Sequence, residues 1–194
     1  QGYDEDTLDE LEREIGSLRG LRVLDLGGGP GQYTVGLARR GCDVVWHDIS
    51  RRYRDFAAGR AEQAGVLDRV EFSIGYMDEA PLLLKRQFDL VFNRVCFYYG
   101  LNDSSFTEII FSLVRPGGYG YIDTHHSGFK RNELSAAGRF RTVLNETIGL
   151  KIGHPHPPRG RIPAILAKMP IERMSVDFSM DDNDRIIFKK RLEA

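Results

Sequence analysis

"VLDLGGGPGQYTVGLARRG", residues 23–41, runs from a short apolar stretch through Gly27, Gly28, Gly29, Pro30 and Gly31 into a segment with helical spacing that Gly41 closes. An apolar run of this length reads as a buried strand, and the glycines after it leave backbone open to a ligand. The same rhythm extends outward on both sides. Upstream, Leu8, Leu11, Ile15 and Leu18 lie at helical spacing over residues 7–17, and Gly20 stops that helix. Downstream, "DVVWHDIS" (43–50) predicts a second strand, residues 51–64 a helix ended by Gly65, and "RVEFSIG" (69–75) a third strand. "QFDLVFNRVCFYY" (87–99) holds a fourth, and "SSFTEIIFSLVR" (104–115) a helix closed by "PGG" before a fifth strand, "YGYIDTH" (119–125). Strands alternating with helices predict a parallel sheet covered on both faces.

Beyond residue 127 the rhythm changes. A helix is expected over 133–148, a proline-broken loop in "GHPHPPRGR" (153–161) and a short helix in "IPAILAKM" (162–169). "ERMSVDFSMDDNDRIIFKKR" (172–191) predicts an antiparallel hairpin at the sheet edge. No repeat, low-complexity tract or long linker divides the 194 residues, so one domain over 1–194 is expected, with 127–163 as a cover over the acceptor side.

The turn at 27–31 sits where open parallel sheets bind ligands, outside the carboxyl ends of the strands. A dinucleotide fingerprint, G-x-G-x-x-G, starts well at Gly27 and Gly29 but meets Gln32 where the last glycine is required. A phosphate loop needs Lys followed by Ser or Thr, which is absent. What remains is Asp25 two residues ahead of the first glycine, a carboxylate awkward for a pyrophosphate and suited to a ligand bearing an amino group or positive charge. Asp48 ends the second strand, where a carboxylate can accept ribose hydroxyls, unless it caps the next helix, a role Ser50 can also fill. After the third strand, Asp78 or the backbone of Met77 is positioned to meet an adenine edge.

Taken together, "VLDLGGGPG", "VVWHDIS", "VEFSIGYMDE", "FDLVFNR" and "LVRPGGYGYID", in order over roughly residues 20–125, resemble the class I S-adenosylmethionine-dependent methyltransferases. The resemblance implies a Rossmann-like three-layer α/β sandwich with a seven-stranded, mostly parallel sheet and a reversed C-terminal hairpin. It implies S-adenosyl-L-methionine as cofactor and S-adenosyl-L-homocysteine as product. Asp25 and the turn of Gly27, Gly28, Gly29 and Gly31 would hold the methionine part, Asp48 the ribose, and Met77 and Asp78 the adenine, with Ile49 also in the cofactor site. Asn93 and Arg94 would line the site beside the transferable methyl. "NRVCFYY" departs from the Asn/Asp-Pro-Pro-aromatic signature of enzymes that methylate exocyclic amines in nucleic acid. Cys96 lacks the preceding proline of the DNA cytosine C5 enzymes and reads as core.

Methyl transfer from a sulfonium is an in-line displacement, in which the protein mainly aligns the reactants and excludes water. Where a base is needed, His125 and His126 follow the fifth strand at the correct end of the sheet; at least one of Phe97, Tyr98 and Tyr99 is expected to edge the acceptor pocket, with Tyr98 and Asn93 as the candidates there. His154 and His156 have no acidic or cysteine companion at metal-ligand spacing, so no metal site is expected, and His47 reads as packing against the sheet. A formal net charge of −1 gives no global field for nucleic acid, which favours a small-molecule acceptor. RNA or protein acceptors, or cofactor binding without turnover, remain the alternatives; Arg159, Arg161 and Lys168 forming a basic surface continuous with the cleft would favour RNA or protein. The acidic N-terminus (Asp4, Glu5, Asp6, Asp9, Glu10, Glu12, Glu14) is unlike a signal peptide, and no window reaches the length of a membrane span. Cys42 and Cys96 have no CxxC partner and read as reduced thiols, so a cytoplasmic protein with no membrane partner is expected.

Overall fold

The computed structural model describes residues 5–192; Asp4 of the acidic stretch lies outside them. Seven strands form one sheet: β1 (Arg22–Leu26), β2 (Asp43–Asp48), β3 (Val70–Ile74), β4 (Phe88–Arg94), β5 (Val114–His125), β6 (Ile171–Asp177) and β7 (Asn183–Lys190). Their order is β3-β2-β1-β4-β5-β7-β6. The first five run parallel, and β7 enters between β5 and β6, antiparallel to both. The chain steps outward from β1 to β3 and then returns to β1's other side at β4. That reversal opens a crevice at the carboxyl ends of β1 and β4.

Helices cover both faces. On one, α1 (Glu5–Ile15) and α2 (Gln32–Arg39) bury Leu8, Leu11 and Leu37 against Val23, Leu90, Phe92 and Tyr121. On the other, α5 (Asp103–Leu113) and α7 (Arg161–Leu166) bring Phe106, Ile110, Ile162 and Leu166 onto Leu24, Leu26, Val91, Ile122 and Phe188. The strands supply both faces because alternate side chains point oppositely, so Val23 and Leu24 enter different cores. Each fully buried Leu or Phe contributes about 1.5–3 kcal/mol.

The remaining helices are α3 (Arg51–Gln63), α4 (Ala80–Leu84) and α6 (Ala136–Ile148). Ser50 caps α3, its hydroxyl accepting from the Tyr53 N–H at 3.2 Å. Ser135 caps α6, which Gly149 ends in the left-handed conformation. The sequence reading differs at several points. The first helix ends at Ile15, where Gly16 with a φ of 91°, not Gly20, closes it. The short helix α4 was not anticipated; Pro81 starts it and only Ala80 is buried, so it shows no apolar periodicity. The expected stop "PGG" lies instead within β5, which begins at Val114, paired with Phe88. The register then shifts, with Leu90 opposite Tyr119, so the intervening residues bulge; Gly117 adopts a φ of 75° and a Cβ on Gly118 would lie 2.9 Å from the Asp89 carbonyl. The helix expected over 133–148 starts at Ala136, after a single tight turn at Arg131–Glu133. The antiparallel pairing of β6 and β7 is as expected, with β6 at the edge. Among the described residues no helix is long and apolar enough to cross a membrane.

Candidate active site

A cleft of about 660 Å³ opens at the crevice predicted by the strand order. Gly27, Gly29 and Pro30 form its floor, Asp48, Ile49, Ser50 and Tyr53 one side, Gly75–Asp78 the next, and Val95, Cys96, Tyr99 and His154 the last. Its size lies within the range of small-molecule sites. Ile49, Tyr53, Tyr76 and Tyr99 are all large side chains left exposed here, an apolar rim of the kind that marks a binding groove.

The turn is pinned from below. Gly27 donates its N–H to the His47 carbonyl at 2.8 Å, Trp46 donates its indole N–H to the Gly29 carbonyl at 2.9 Å, and Gly29 donates its N–H to Asp48 Oδ2 at 3.1 Å. The other Asp48 oxygen accepts from the Ser50 N–H at 2.8 Å. Asp48 is therefore fixed by backbone donors at the cleft wall, while Ser50 performs the helix capping. His47 is buried as expected, its ring between the Ser73 hydroxyl at 3.0 Å and the Tyr76 carbonyl at 3.1 Å, which holds the loop bearing Met77 and Asp78. Burial pushes the His47 imidazole down and the Asp78 carboxyl up.

Gly27, Gly29, Asp48, Ile49, Met77 and Asp78 all line the cleft. The other sequence-derived candidates lie elsewhere, each for a visible reason. Asp25 is buried beneath the turn and accepts the Thr34 hydroxyl at 2.5 Å; burial raises it to about 7, with Asp48 adding to the rise. Gly28 faces inward, since a Cβ there would lie 2.3 Å from the Trp46 ring. Gly31 has a φ of 81° and lies against α3, where a Cβ would come within 2.5 Å of Ala57. Asn93 is buried below the cleft floor; its amide donates to the Leu26 carbonyl at 2.9 Å and reaches Cys96 Sγ at 3.2 Å, while its Oδ1 has no partner. Arg94, next along the strand, points to the opposite face, where it pairs with Asp123 at 3.1 Å and lies over the Tyr33 ring.

The acceptor-side candidates also rearrange. His126 is a fastener: its Nδ1 accepts from the Gly128 N–H at 3.0 Å and its Nε2 donates to the Asp181 carbonyl at 2.8 Å, which leaves neither nitrogen for a reacting proton. His125 stacks on Phe129 with ring centroids 3.7 Å apart, and its Nδ1 is buried without a partner. Tyr98 packs on Tyr99 and edge-on to His156, and burial pushes its hydroxyl above the ordinary range. It is Tyr99 and His154, in edge contact at 5.2 Å, that reach the cleft.

Of the three aromatics expected to supply a pocket edge it is Tyr99 that does so, and sequence reasoning missed Tyr53, His154, Val95 and Cys96 as cleft residues. Tyr53 had a signal, because the first turn of a helix that follows a strand tip faces the crevice. Val95 had none: it adopts a φ of 60°, a rare conformation for a β-branched residue, with its N–H donating to the Asp123 carbonyl at 2.7 Å. This reversal carries Cys96 back under the turn, so Cys96 lines the cleft and is not core; burial, with Asp25 and Asp48 nearby, pushes its thiol up to about 12. Cys42, by contrast, is a fully buried free thiol.

Residues 23–118, about half the chain, match the methyltransferase-domain family. The chain is 33% identical over 111 residues to the tRNA 5-carboxymethoxyuridine methyltransferase of Escherichia coli (strain K12), covering 57% of this chain and 42% of that protein. It is 28% identical over 131 residues to the ubiquinone biosynthesis O-methyltransferase of Leptothrix cholodnii, covering 68% of this chain and 55% of that one. The matches thus span about half the length of these relatives. An O-methyltransferase family protein from Burkholderia thailandensis shares the fold with a TM-score of 0.70 at 21% identity, over 98% of this chain and 57% of the other. The motif series, the strand order and these similarities converge, and the chain belongs to the class I S-adenosylmethionine-dependent methyltransferase family.

Proposed function

We propose that this chain, acting as one catalytic unit, transfers a methyl group from S-adenosylmethionine to a small-molecule acceptor. The observation that carries the reading is Asp48. Its carboxylate stands at the tip of β2 on the wall of a cleft of about 660 Å³, orientated by two backbone N–H groups and with lone pairs left for hydroxyl donors. The residues fit the cofactor in three further respects. A Cβ on Gly29 would meet only a single carbonyl at 4.0 Å, so the backbone there is open to a ligand. Ile49 and Met77 supply apolar surface for a base, and the unpartnered Asn93 Oδ1 is an acceptor near the turn. Asp25 acts through the turn, adding negative potential beneath it without touching the ligand.

When bound, the cofactor supplies a methyl on a sulfonium, which leaves as a cation is discharged. The protein's part is alignment and exclusion of water. Val95 and Cys96 shape the end of the cleft beside Asn93, and Tyr99 with His154 closes the side that the acceptor must approach. A small acceptor is favoured because Arg159 and Arg161, two of the three residues that would build a basic surface continuous with the cleft, are already engaged. Arg161 donates to Asp103 and to the side chain and backbone of Asn145; Arg159 bonds the Phe178 and Met180 carbonyls and pairs with Asp184. RNA is the reading that similarity to a tRNA methyltransferase favours.

Calorimetric titration with S-adenosylhomocysteine tests the cofactor assignment. Asp48→Ala is expected to weaken binding about ten- to hundredfold, the loss of charge-assisted hydrogen bonds of about 1.5–3 kcal/mol. Unchanged affinity, or a preference for a pyridine dinucleotide, overturns it. Methyl transfer to small molecules and to bulk tRNA, compared between wild type and Asp48→Ala, separates the two acceptor readings.

A further inference from the structure

A second cavity, of about 170 Å³, adjoins the cofactor cleft. His154 is the residue that lines both. Phe129, Leu134, Ile152 and Pro155 give this cavity apolar walls, and its polar groups can be accounted for one at a time. The Ser127 hydroxyl donates to Glu146 Oε1 at 2.7 Å, and the Thr142 hydroxyl to the Gly138 carbonyl at 3.1 Å. Glu146 is itself held by Arg131 through both oxygens. No carboxylate lines the cavity. Arg141 does, and among the described residues its guanidinium has no ion pair or hydrogen bond. His156 presents an imidazole whose Nδ1 is buried without a partner; burial and the neighbouring His125 and Lys151 push it down to about 4, so it stays neutral.

Three unused polar groups therefore line an apolar-walled space: the Arg141 cation and the imidazoles of His154 and His156, the first of these imidazoles shared with the cofactor cleft. A planar guanidinium matches a carboxylate through two parallel hydrogen bonds, and the apolar walls of Phe129, Leu134, Ile152 and Pro155 suit a ring. Building on the transferase reading, we propose that this cavity is the acceptor subsite and takes a monocyclic hydroxyaromatic carboxylate, its carboxylate on Arg141 and its hydroxyl directed past His154 into the cofactor cleft. In the transfer, an acceptor oxygen lone pair forms the O–CH₃ bond as the C–S bond breaks. The bonding pair stays on sulfur, and the hydroxyl proton passes to the His154 imidazole and thence to solvent.

The test uses 3,4-dihydroxybenzoate and catechol as probes, titrated separately into the full chain with and without S-adenosylhomocysteine. The carboxylate is expected to bind at least tenfold more tightly than catechol. Arg141→Gln should abolish that preference, Arg141→Lys should retain part of it, and neither should change S-adenosylhomocysteine affinity more than twofold. Equal affinities in the wild type, a preference that survives Arg141→Gln, or failure of both probes to bind while S-adenosylhomocysteine binds would each overturn the subsite. Wild-type protein that prefers the carboxylate but does not bind S-adenosylhomocysteine would overturn the transferase reading and leave the carboxylate site standing.

Discussion

On the side of the cleft proposed to take the cofactor, the lining groups come from strand tips and the turns that follow them: Gly27 and Gly29 after β1, Asp48 and Ile49 after β2, Met77 and Asp78 after β3. On the proposed acceptor side, Tyr99, His154 and His156 come from a loop after β4 and from the segment between α6 and α7. The first wall is positioned by sheet register, with Leu26 paired to His47 and Asp48 to Ile74, so backbone geometry alone delivers its groups. The second is held by side chains. Asp103, at the start of α5, pairs with Lys151 at 3.0 Å and Arg161 at 3.2 Å, and this nearly dry cluster clamps the ends of the 149–160 loop. One wall is thus inseparable from the fold, whereas the other is attached to it.

That contrast fails if substitutions in the first wall are tolerated. Gly31→Val places a β-branched side chain at a φ of 81° and drives its Cβ to 2.7 Å from the Ala57 backbone in α3. Left-handed strain and overpacking together should cost about 3–5 kcal/mol or prevent folding. Urea denaturation measures it; a loss below about 1 kcal/mol would show that turn and helix adjust independently.

The second wall should yield with the fold intact. Asp103→Ala leaves Lys151 buried and unpaired, a loss that reaches about 3–5 kcal/mol for a fully buried pair. Arg161 retains some solvent access and keeps its bonds to Asn145, so about 2–3 kcal/mol is expected here. Hydrogen exchange should quicken over residues 145–160 and stay unchanged in β1 and β2. Uniform acceleration across the sheet would mean that the cover and the fold are one cooperative unit.

The same division governs what could be read in advance. The strands and Asp48 were legible because apolar runs and an acid at a strand end are local signals. The inward turn of Asp25 was not, because Thr34 and Trp46 must first be packed around the turn to define which groups face the ligand. His125 and His126 are adjacent and alike in sequence, yet one stacks on Phe129 and the other is spent on Asp181, 55 residues away in the hairpin turn. Cys96 reads as core in an apolar run until the reversed φ of Val95 redirects it. "PGG" ends helices in general, but here the pairing of Val114 with Phe88 takes the chain into β5 before the proline.

Asp25 gives the smallest expected change and the sharpest test of the first wall, because it asks whether that wall sacrifices stability for binding. Burial raises its carboxyl from 3.8 to about 7, so the fold favours the protonated form. A folded value above the unfolded one contributes stability that is full below about pH 4 and is lost as pH rises through about 7. Asp25→Asn removes an ionisation cost of up to about 4 kcal/mol above neutrality, but buries an amide N–H whose missing partner costs about 1–3 kcal/mol. The variant should therefore be about 1–2 kcal/mol more stable than wild type at pH 8 and less stable at pH 4, by urea denaturation at each pH. Binding should move oppositely. A ligand with a positive charge above the turn favours ionised Asp25, so wild-type affinity for S-adenosylhomocysteine should rise between pH 6 and pH 8 while that of Asp25→Asn stays flat. Parallel stability profiles, or a variant whose affinity rises as steeply as the wild type's, would mean that this carboxylate is a packing group with no electrostatic part in the cleft.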